Sequence, residues 1–155
     1  MADPASAGEV FDAAERALGP VEILVNNASG WVADTFTPTS RGESADKARA
    51  VCAETIERQF AIDSRAGALM ISEFARRHAE RGADWGRIVG LTSGGPLGLP
   101  GEVSYGAAKA ALESYTMSAA MELATLGITA NVVYPAGHRH RMGDRGSAAV
   151  RQRQH

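Results

Sequence analysis

The feature that most restricts the fold of this chain is the alternation of short β-branched runs with long helical segments. The short runs are rich in valine, isoleucine and leucine, which is typical of buried strands. They occupy residues 21–25, 87–91 and 128–134. Strands that are separated by helices pair in parallel through crossover connections. The pattern therefore predicts an α/β fold, a three-layer parallel sheet with helices on both faces, of which about three strands are present.

The helical segments are bounded by residues that start and stop helices. Asp3 is expected to cap a first helix over residues 4–18. A long helix with one break is expected from about residue 48 to 81, and another from 104 to 126, each followed by glycine. Residues 30–46 contain Gly, Pro, Ser and Thr without periodicity and are expected to form a loop.

Polar clusters follow the predicted strands. Asn26 to Ser29 come after the first strand, and Thr92 and Ser93 come after the second. In open parallel sheets, ligands bind beyond the carboxyl ends of the strands. We therefore expect a binding crevice at this edge, closed on one side by the start of the 104–126 helix.

Tyr105 and Lys109 lie four residues apart in a predicted helix, so their side chains project from one face. A lysine ammonium beside a phenol stabilises the phenolate, and we expect it to lower the tyrosine pKa from its usual value of about 10. Such a tyrosine gives a proton to a carbonyl oxygen, or takes one from an alcohol, near neutral pH. Ser93 is placed to hydrogen-bond the same oxygen. Alone the pair is weak evidence, because surface helices carry such pairs by chance.

Three motifs around these residues resemble those of the short-chain dehydrogenase/reductase family. The run from Ile23 to Ala28 is similar to the family's Asn-Asn-Ala-Gly motif. Residues 86–93 and 105–112 resemble its active-site strand and helix, and residues 128–135 resemble its strand before a Pro-Gly turn. The motifs occur in the family's order and with similar spacing. The resemblance implies a partial Rossmann-like domain over residues 1–136.

The resemblance also implies an activity, because the family binds NAD(H) or NADP(H) and moves a hydride between the nicotinamide and a carbonyl carbon. The chain is then expected to be an oxidoreductase that reduces a carbonyl or oxidises an alcohol in a small-molecule substrate. By this likeness Tyr105 is the general acid/base, and Lys109 lowers its pKa and holds the nicotinamide ribose hydroxyls. Ser93 orients the substrate oxygen.

The resemblance places a further set of residues along the cofactor. They are Asn26, Ala28, Ser29, Thr92, Tyr105, Lys109 and Pro135. For the Asn-Asn pair a structural interpretation has equal weight, in which a capped strand end ties neighbouring strands together. No metal ion is implied.

Two residues depart from the family's pattern. Asp63 stands where the family usually has a fourth catalytic residue, an asparagine. A carboxylate accepts hydrogen bonds but cannot donate them as an amide does, and its charge offsets part of the field of Lys109 on Tyr105. We therefore expect a handicap at this position rather than a loss of function. Ser29 replaces the usual glycine of the Asn-Asn-Ala-Gly motif.

The larger departure is that the chain lacks the glycine-rich turn with which family members hold the cofactor pyrophosphate. We therefore expect weak cofactor binding and little turnover by the chain alone. Two alternatives remain open. The chain is a non-catalytic fragment that associates with itself or with a full-length paralogue through helices 48–81 and 104–126, which commonly form the family's dimer interface. Otherwise it is half of a split enzyme.

The last segment, residues 137–155, is basic and without periodicity, and we interpret it as an irregular tail. His138 and His140 are poorly spaced for a helical metal site. Codons that encode residues 138–144, read one nucleotide later, permit Thr-Asp-Thr-Gly-Trp-Val, which resembles the stretch after Pro-Gly in many relatives. The hypothesis is that a frameshift replaced the family's C-terminal part.

Composition excludes several other classes of protein. The net charge of −2 gives no reason to expect binding to nucleic acid or to an anionic membrane. No apolar run approaches the roughly 18 residues of a membrane span, and the start has no signal-peptide pattern. The single cysteine, Cys52, fits a reducing compartment, so we expect the cytoplasm.

Overall fold

The computed structural model describes residues 3, 5–37, 48–93 and 98–135. The predicted tail, with His138 and His140, lies outside the described residues, as does most of the predicted loop. None of the described helices is long and apolar enough to cross a bilayer.

Three strands form the main sheet, and helices lie between them in the chain. The strands are β1 (Ile23–Asn26), β4 (Gly86–Leu91) and β5 (Ile128–Val133). The α-helices are α1 (Ser6–Leu18), α2 (Ala53–Gln59), α3 (Gly67–Glu80) and α4 (Val103–Glu122). A π-helical segment, Phe60–Ala66, joins α2 to α3, and a short 3₁₀ turn, Ala124–Leu126, follows α4. Two short strands, β2 (Asp34–Thr35) and β3 (Arg49–Ala50), pair with each other in parallel.

The main sheet is parallel in the order β1-β4-β5, so β1 is its edge among the described strands. Val25 lies opposite Val89, and Val89 lies opposite Asn131. This register aligns the carboxyl ends of the strands at one edge. The predicted parallel α/β, Rossmann-like fold is confirmed.

Alternation along the strands separates two faces of the sheet. One face carries Leu24, Ile88 and Ile128, which are buried against α3 and α4 together with Phe74. The other face carries Ile23 and Val25, which are exposed. Within the described residues, the three-layer architecture is thus represented by the sheet and one helical layer.

Two local predictions were wrong. The helix expected from about residue 48 begins at Ala53, because Arg49–Ala50 forms a strand and Cys52 keeps an extended backbone that donates its N–H to Thr55 Oγ1 at 3.2 Å. Asp34–Thr35, expected in a loop, is a strand that pairs with that segment. Both elements are two residues long and stabilised by tertiary contacts, so they leave no periodicity in the sequence.

The ends of the helices agree better with the sequence. The Asp3 carboxylate accepts the backbone N–H of Ala5 at 2.9 Å, just before α1 begins at Ser6. Gly127 has a φ of 73° and ends the turn that follows α4. The break expected within the long helix corresponds to the π-helical segment.

Candidate active site

The carboxyl end of β4 and the first turns of α4 bring the predicted proton-transfer residues together. β4 ends at Leu91 and is followed by Thr92 and Ser93, while α4 begins at Val103. The close approach of α4 to the strand depends on Gly90, where an added Cβ would lie 2.5 Å from Thr116 Oγ1. A side chain at this position would push the helix off the strand.

Ser93, Tyr105 and Lys109 face one another. The Ser93 side chain lies close enough to the Tyr105 phenol to lower the pKa of that phenol. Lys109 Nζ lies 5.7 Å from the centroid of the Tyr105 ring. The helical spacing of four residues therefore has the expected result, with the phenol between a hydroxyl and an ammonium.

Lys109 is held by internal partners. Its side chain is 3% exposed, and Nζ donates to the backbone oxygen of Leu91 at 3.1 Å. Nζ also lies 3.2 Å from Asp63 Oδ1. This contact is an ion pair without hydrogen-bond alignment, since Asp63 Oδ1 is buried and has no hydrogen-bond partner. The charges of Lys109 and Asp63 thus compensate each other inside the protein.

The environment of Tyr105 gives its phenol a different ionisation from the expected one. Burial of the phenol raises its pKa above the usual 10, and the nearby Ser93 side chain offsets only part of this rise. The negative charges of Asp63 and Glu102 raise the pKa further. The expectation of a lowered pKa was therefore wrong for this chain, because burial of the phenol, together with the charges of Asp63 and Glu102, outweighs the groups that lower the pKa.

Asp63 also fixes the turn that follows β1. Its Oδ2 accepts the backbone N–H of Gly30 at 2.9 Å. An added Cβ at Gly30 would lie 2.6 Å from Ile62 Cδ1, so only glycine brings the backbone this close without a shift of Ile62.

Two residues that the resemblance placed along the cofactor have structural contacts. Asn26 Nδ2 donates to the backbone oxygen of Gly67 at 3.3 Å and ties β1 to α3. Thr92 Oγ1 donates to the backbone oxygen of Lys109 at 3.1 Å and ties β4 to α4. These contacts support the structural interpretation of Asn26 and give Thr92 a similar role.

The other three residues predicted along the cofactor are accessible. Ala28 and Ser29 are exposed beyond the end of β1, and Pro135 is exposed beyond the end of β5. They border the edge of the sheet where a ligand is expected.

A cavity of about 980 Å³ opens beside Ser93. Its walls are mostly apolar and come from the segment around β2 and from residues before and within α4. They include Phe36, Leu99, Pro100, Val103 and Ala110. Glu113 and Tyr134 line the same cavity, and the Glu113 carboxylate raises the pKa of the Tyr134 phenol. The volume suits a small-molecule ligand, and the lining favours one with an apolar body.

Sequence reasoning missed a buried carboxylate close to this site. Asp34 is 0% exposed and accepts the backbone N–H of Ser104 at 2.8 Å, at the start of α4. Its side chain also accepts the Ser104 hydroxyl. Asp34 and Ser104 are 70 residues apart in the chain, so no local pattern could have paired them.

Metal chemistry has no support in the described part of the chain. No group of three or more His, Cys, Asp or Glu side chains within those residues is arranged to hold an ion.

Comparison with known proteins agrees with the geometry. A family model for short chain dehydrogenases matches residues 1–149. An uncharacterized oxidoreductase of Bacillus subtilis is 36% identical over 136 residues, which cover 87% of this chain and 49% of that protein. The structure of a short-chain alcohol dehydrogenase from Sinorhizobium meliloti has a TM-score of 0.70 at 28% identity, over 86% of this chain and 48% of that one.

A second solved structure shares the fold. It is a metagenomic short-chain oxidoreductase in complex with NADP, with a TM-score of 0.68 at 20% identity over 88% of this chain and 57% of that one. The chain spans about half the length of the curated relatives it matches. Because the family model covers nearly all of the sequence and the three motifs meet at one site, the chain belongs to the short-chain dehydrogenase family.

Proposed function

We propose that this chain carries the proton-transfer site of an NAD(P)(H)-dependent oxidoreductase that acts on a small carbonyl or alcohol. The observation that carries the proposal is the meeting of Ser93, Tyr105 and Lys109 beside an apolar cavity of about 980 Å³. Ser93 lines this cavity, and a phenol held next to it is suited to exchange a proton with a substrate oxygen.

The residues around Lys109 fit a ligand that brings hydroxyl groups. Asp63 Oδ1 is a buried acceptor without a hydrogen-bond partner, and Lys109 Nζ lies 3.2 Å from it. The ribose hydroxyls of a nicotinamide nucleotide supply donors and acceptors of this kind. Lys109 and Asp63 would hold that ribose, with Ala28, Ser29 and Pro135 along the rest of the cofactor. When bound, the nicotinamide supplies or accepts the hydride.

The work of the protein's own residues follows from the ionisation of Tyr105. Its raised pKa keeps the phenol protonated at neutral pH. In this form Tyr105 donates a proton to a carbonyl oxygen, while the Ser93 hydroxyl orients that oxygen. The arrangement therefore favours carbonyl reduction near neutral pH, and alcohol oxidation requires a more alkaline pH at which the phenolate forms.

The proposal is tested by comparing two tyrosines on one helix. Tyr105→Phe removes the acid group and is expected to lower the rate of NADPH-dependent ketone reduction by about 10²–10⁴-fold. Tyr115→Phe is the matched control, because Tyr115 is exposed on the same helix and is expected to leave the rate unchanged. A rate in Tyr105→Phe equal to that of the unmodified chain would refute the assignment.

We further propose that the chain alone binds the cofactor weakly, since it lacks the glycine-rich turn that holds the pyrophosphate. A titration followed by nicotinamide fluorescence is expected to give a dissociation constant above the micromolar range. Micromolar affinity of the purified chain would overturn this part of the proposal and leave the role of Tyr105 in place.

A second candidate function is helix-mediated association with another copy or with a full-length paralogue. It is favoured by apolar side chains that α2, the π-helical segment and α4 leave exposed. These are Ile56, Phe60, Met117 and Met121. Met121→Glu is expected to convert an oligomer to a monomer in light scattering, with Tyr115→Phe as a control on the same helix. A monomeric unmodified chain that captures no paralogue would exclude this candidate.

A third candidate, half of a split enzyme, is favoured by the exposed side chains of Ile23 and Val25 on β1. Co-expression with a family member's first β-α-β unit, which contains the glycine-rich turn, is expected to protect these residues from solvent and to raise turnover. Separate elution of the two pieces would count against it.

A further inference from the structure

The search for an unassigned functional group leads to Asp34, which caps the helix that carries the proposed proton donor. The first turn of α4 has no capping side chain of its own, since Glu102 at the cap position makes no side-chain hydrogen bond there. Asp34 supplies that cap from a different part of the chain. It accepts the backbone N–H of Ser104 at 2.8 Å and the Ser104 hydroxyl, next to Tyr105.

The carboxylate of Asp34 is fully buried, and each of its oxygens accepts a hydrogen bond from Ser104 in α4. Val103 and Thr55 also lie close to the carboxylate and lower its pKa. Burial raises the pKa of Asp34, but these contacts outweigh burial and hold the pKa below its ordinary value. The group is therefore an anion at neutral pH, and its negative charge interacts favourably with the positive N-terminal end of the α4 dipole.

The backbone of Asp34 joins two walls of the cavity. Asp34 lies opposite Arg49 in the β2–β3 pair and forms a separate parallel bridge with Glu102, just before α4. Thr35 and Phe36, which follow Asp34, line the cavity, and so do Pro100 and Gly101, which precede α4. A displacement at Asp34 would thus move the cavity wall and the first turn of α4 together.

We propose that Asp34 is a positioning residue, which holds the first turn of α4 in the register that lets Tyr105 meet Ser93. This inference rests on the proposed function, because it assigns Asp34 a role in the proton transfer that Tyr105 performs.

The test observes Tyr105 directly and does not need turnover. The chain has three tyrosines, so labelling with ¹³Cζ-tyrosine gives three resonances, which single Tyr→Phe variants assign. The probes are Asp34→Asn, which removes the charge but keeps the shape, and Ser104→Ala, which removes one donor. Asp12→Asn serves as the matched control, because Asp12 is an exposed aspartate in an ion pair with Arg77 on another face.

We expect the Tyr105 resonance at pH 8 to move in Asp34→Asn and, by a smaller amount, in Ser104→Ala. The resonance of Tyr115 is expected to stay in place, and Asp12→Asn is expected to leave all three tyrosine resonances unchanged. Where turnover is measurable, we expect kcat in Asp34→Asn to fall about 10–100-fold, since a misplacement of about 1 Å costs a factor of this order.

An unchanged Tyr105 resonance in a folded Asp34→Asn protein whose Ser104 amide signal has moved would overturn the proposal. If circular dichroism shows that Asp34→Asn does not fold, Ser104→Ala decides, and an unchanged Tyr105 resonance in that folded variant would overturn the proposal. The result is distinguishable from a failure of the proposed function. Turnover that persists in Tyr105→Phe removes the acid/base role, whereas the resonance of Tyr105 reports the effect of Asp34 by itself.

Discussion

The two faces of the sheet differ in how far this chain completes them. On the helical face, Ile88 and Ile128 are 0% and 1% exposed. On the opposite face, Ile23 and Val25 are 55% and 54% exposed, although they belong to a strand that pairs directly with β4. The described residues therefore form a well-packed core on one face of the sheet, and the proposed proton-transfer site belongs to this half. On the other face, apolar side chains stay exposed to solvent.

The largest expected effect comes from equal substitutions on the two faces. Ile88→Ala is expected to lower the free energy of unfolding by about 2–5 kcal/mol, since it leaves a cavity in the helical core. Ile23→Ala is expected to change the free energy by no more than about 0.5 kcal/mol, as for an ordinary surface position. Urea unfolding of both variants checks this. Equal losses would mean that the second face is also covered in solution.

The next largest effect is expected for the ion pair between Lys109 and Asp63. Asp63→Asn removes a negative charge that raises the pKa of Tyr105, so that pKa is expected to fall. The pH profile of alcohol oxidation would then move to lower pH. A ¹³Cζ-tyrosine titration measures the shift, and Glu102→Gln, which removes a smaller contribution of the same sign, is the comparison. A Tyr105 midpoint that stays put would contradict the role given to Asp63.

A smaller effect is expected at the contacts between α1 and α3 on the helical face. Hydrogen bonds from Arg76 and Arg77 lower the pKa of Glu73 from 4.5 to about 2. A depressed pKa gives stability that is present above pH 4.5 and is lost as the pH falls towards about 2. Unfolding by urea across this window is expected to show a flatter pH dependence in Glu73→Gln.

The control for this prediction is Glu80→Gln. Glu80 pairs with the same Arg76 but is 61% exposed, so its removal should leave the acid dependence nearly intact. If only Glu80→Gln flattened the pH dependence of unfolding, the stabilisation would come from Glu80 and not from Glu73.

The smallest effect on stability is expected for a polar substitution on the exposed face of the sheet, which carries Ile23 and Val25. Val25→Thr keeps a β-branched side chain in β1 and is expected to change the free energy of unfolding by no more than about 0.5 kcal/mol. It should nevertheless reduce the binding of a hydrophobic dye and slow aggregation, because it interrupts an exposed apolar edge. A marked loss of stability would show that Val25 is packed against a partner.

The parts of the fold that the sequence predicted are those with a local signal. Runs of branched apolar residues marked the three main strands, and the spacing of Tyr105 and Lys109 predicted a shared helix face. Strands β2 and β3 could not be predicted in this way, because a strand of two residues is too short to show an alternating pattern of apolar and polar residues. The helical pattern before Ala53 was overridden by the pairing of Arg49–Ala50 with Asp34–Thr35.

The candidate site shows the same division. The sequence named Ser93, Tyr105, Lys109 and Asp63 as a set, and the structure brings these four side chains together. The direction of the Tyr105 pKa could not be read from residue types. It depends on burial and on which anion lies closest to the ammonium, and both are properties of the packed state.

The sequence by itself determined the order of strands and helices, the membership of the family and the set of side chains proposed for proton transfer, because these follow from local periodicity and motif spacing. Only the tertiary structure decided that Asp63 counters Lys109 and that Asp34 caps α4 from 70 residues away. The physical reason is that electrostatic interactions and hydrogen bonds depend on distance and burial in space, and the separation of residues along the chain specifies neither.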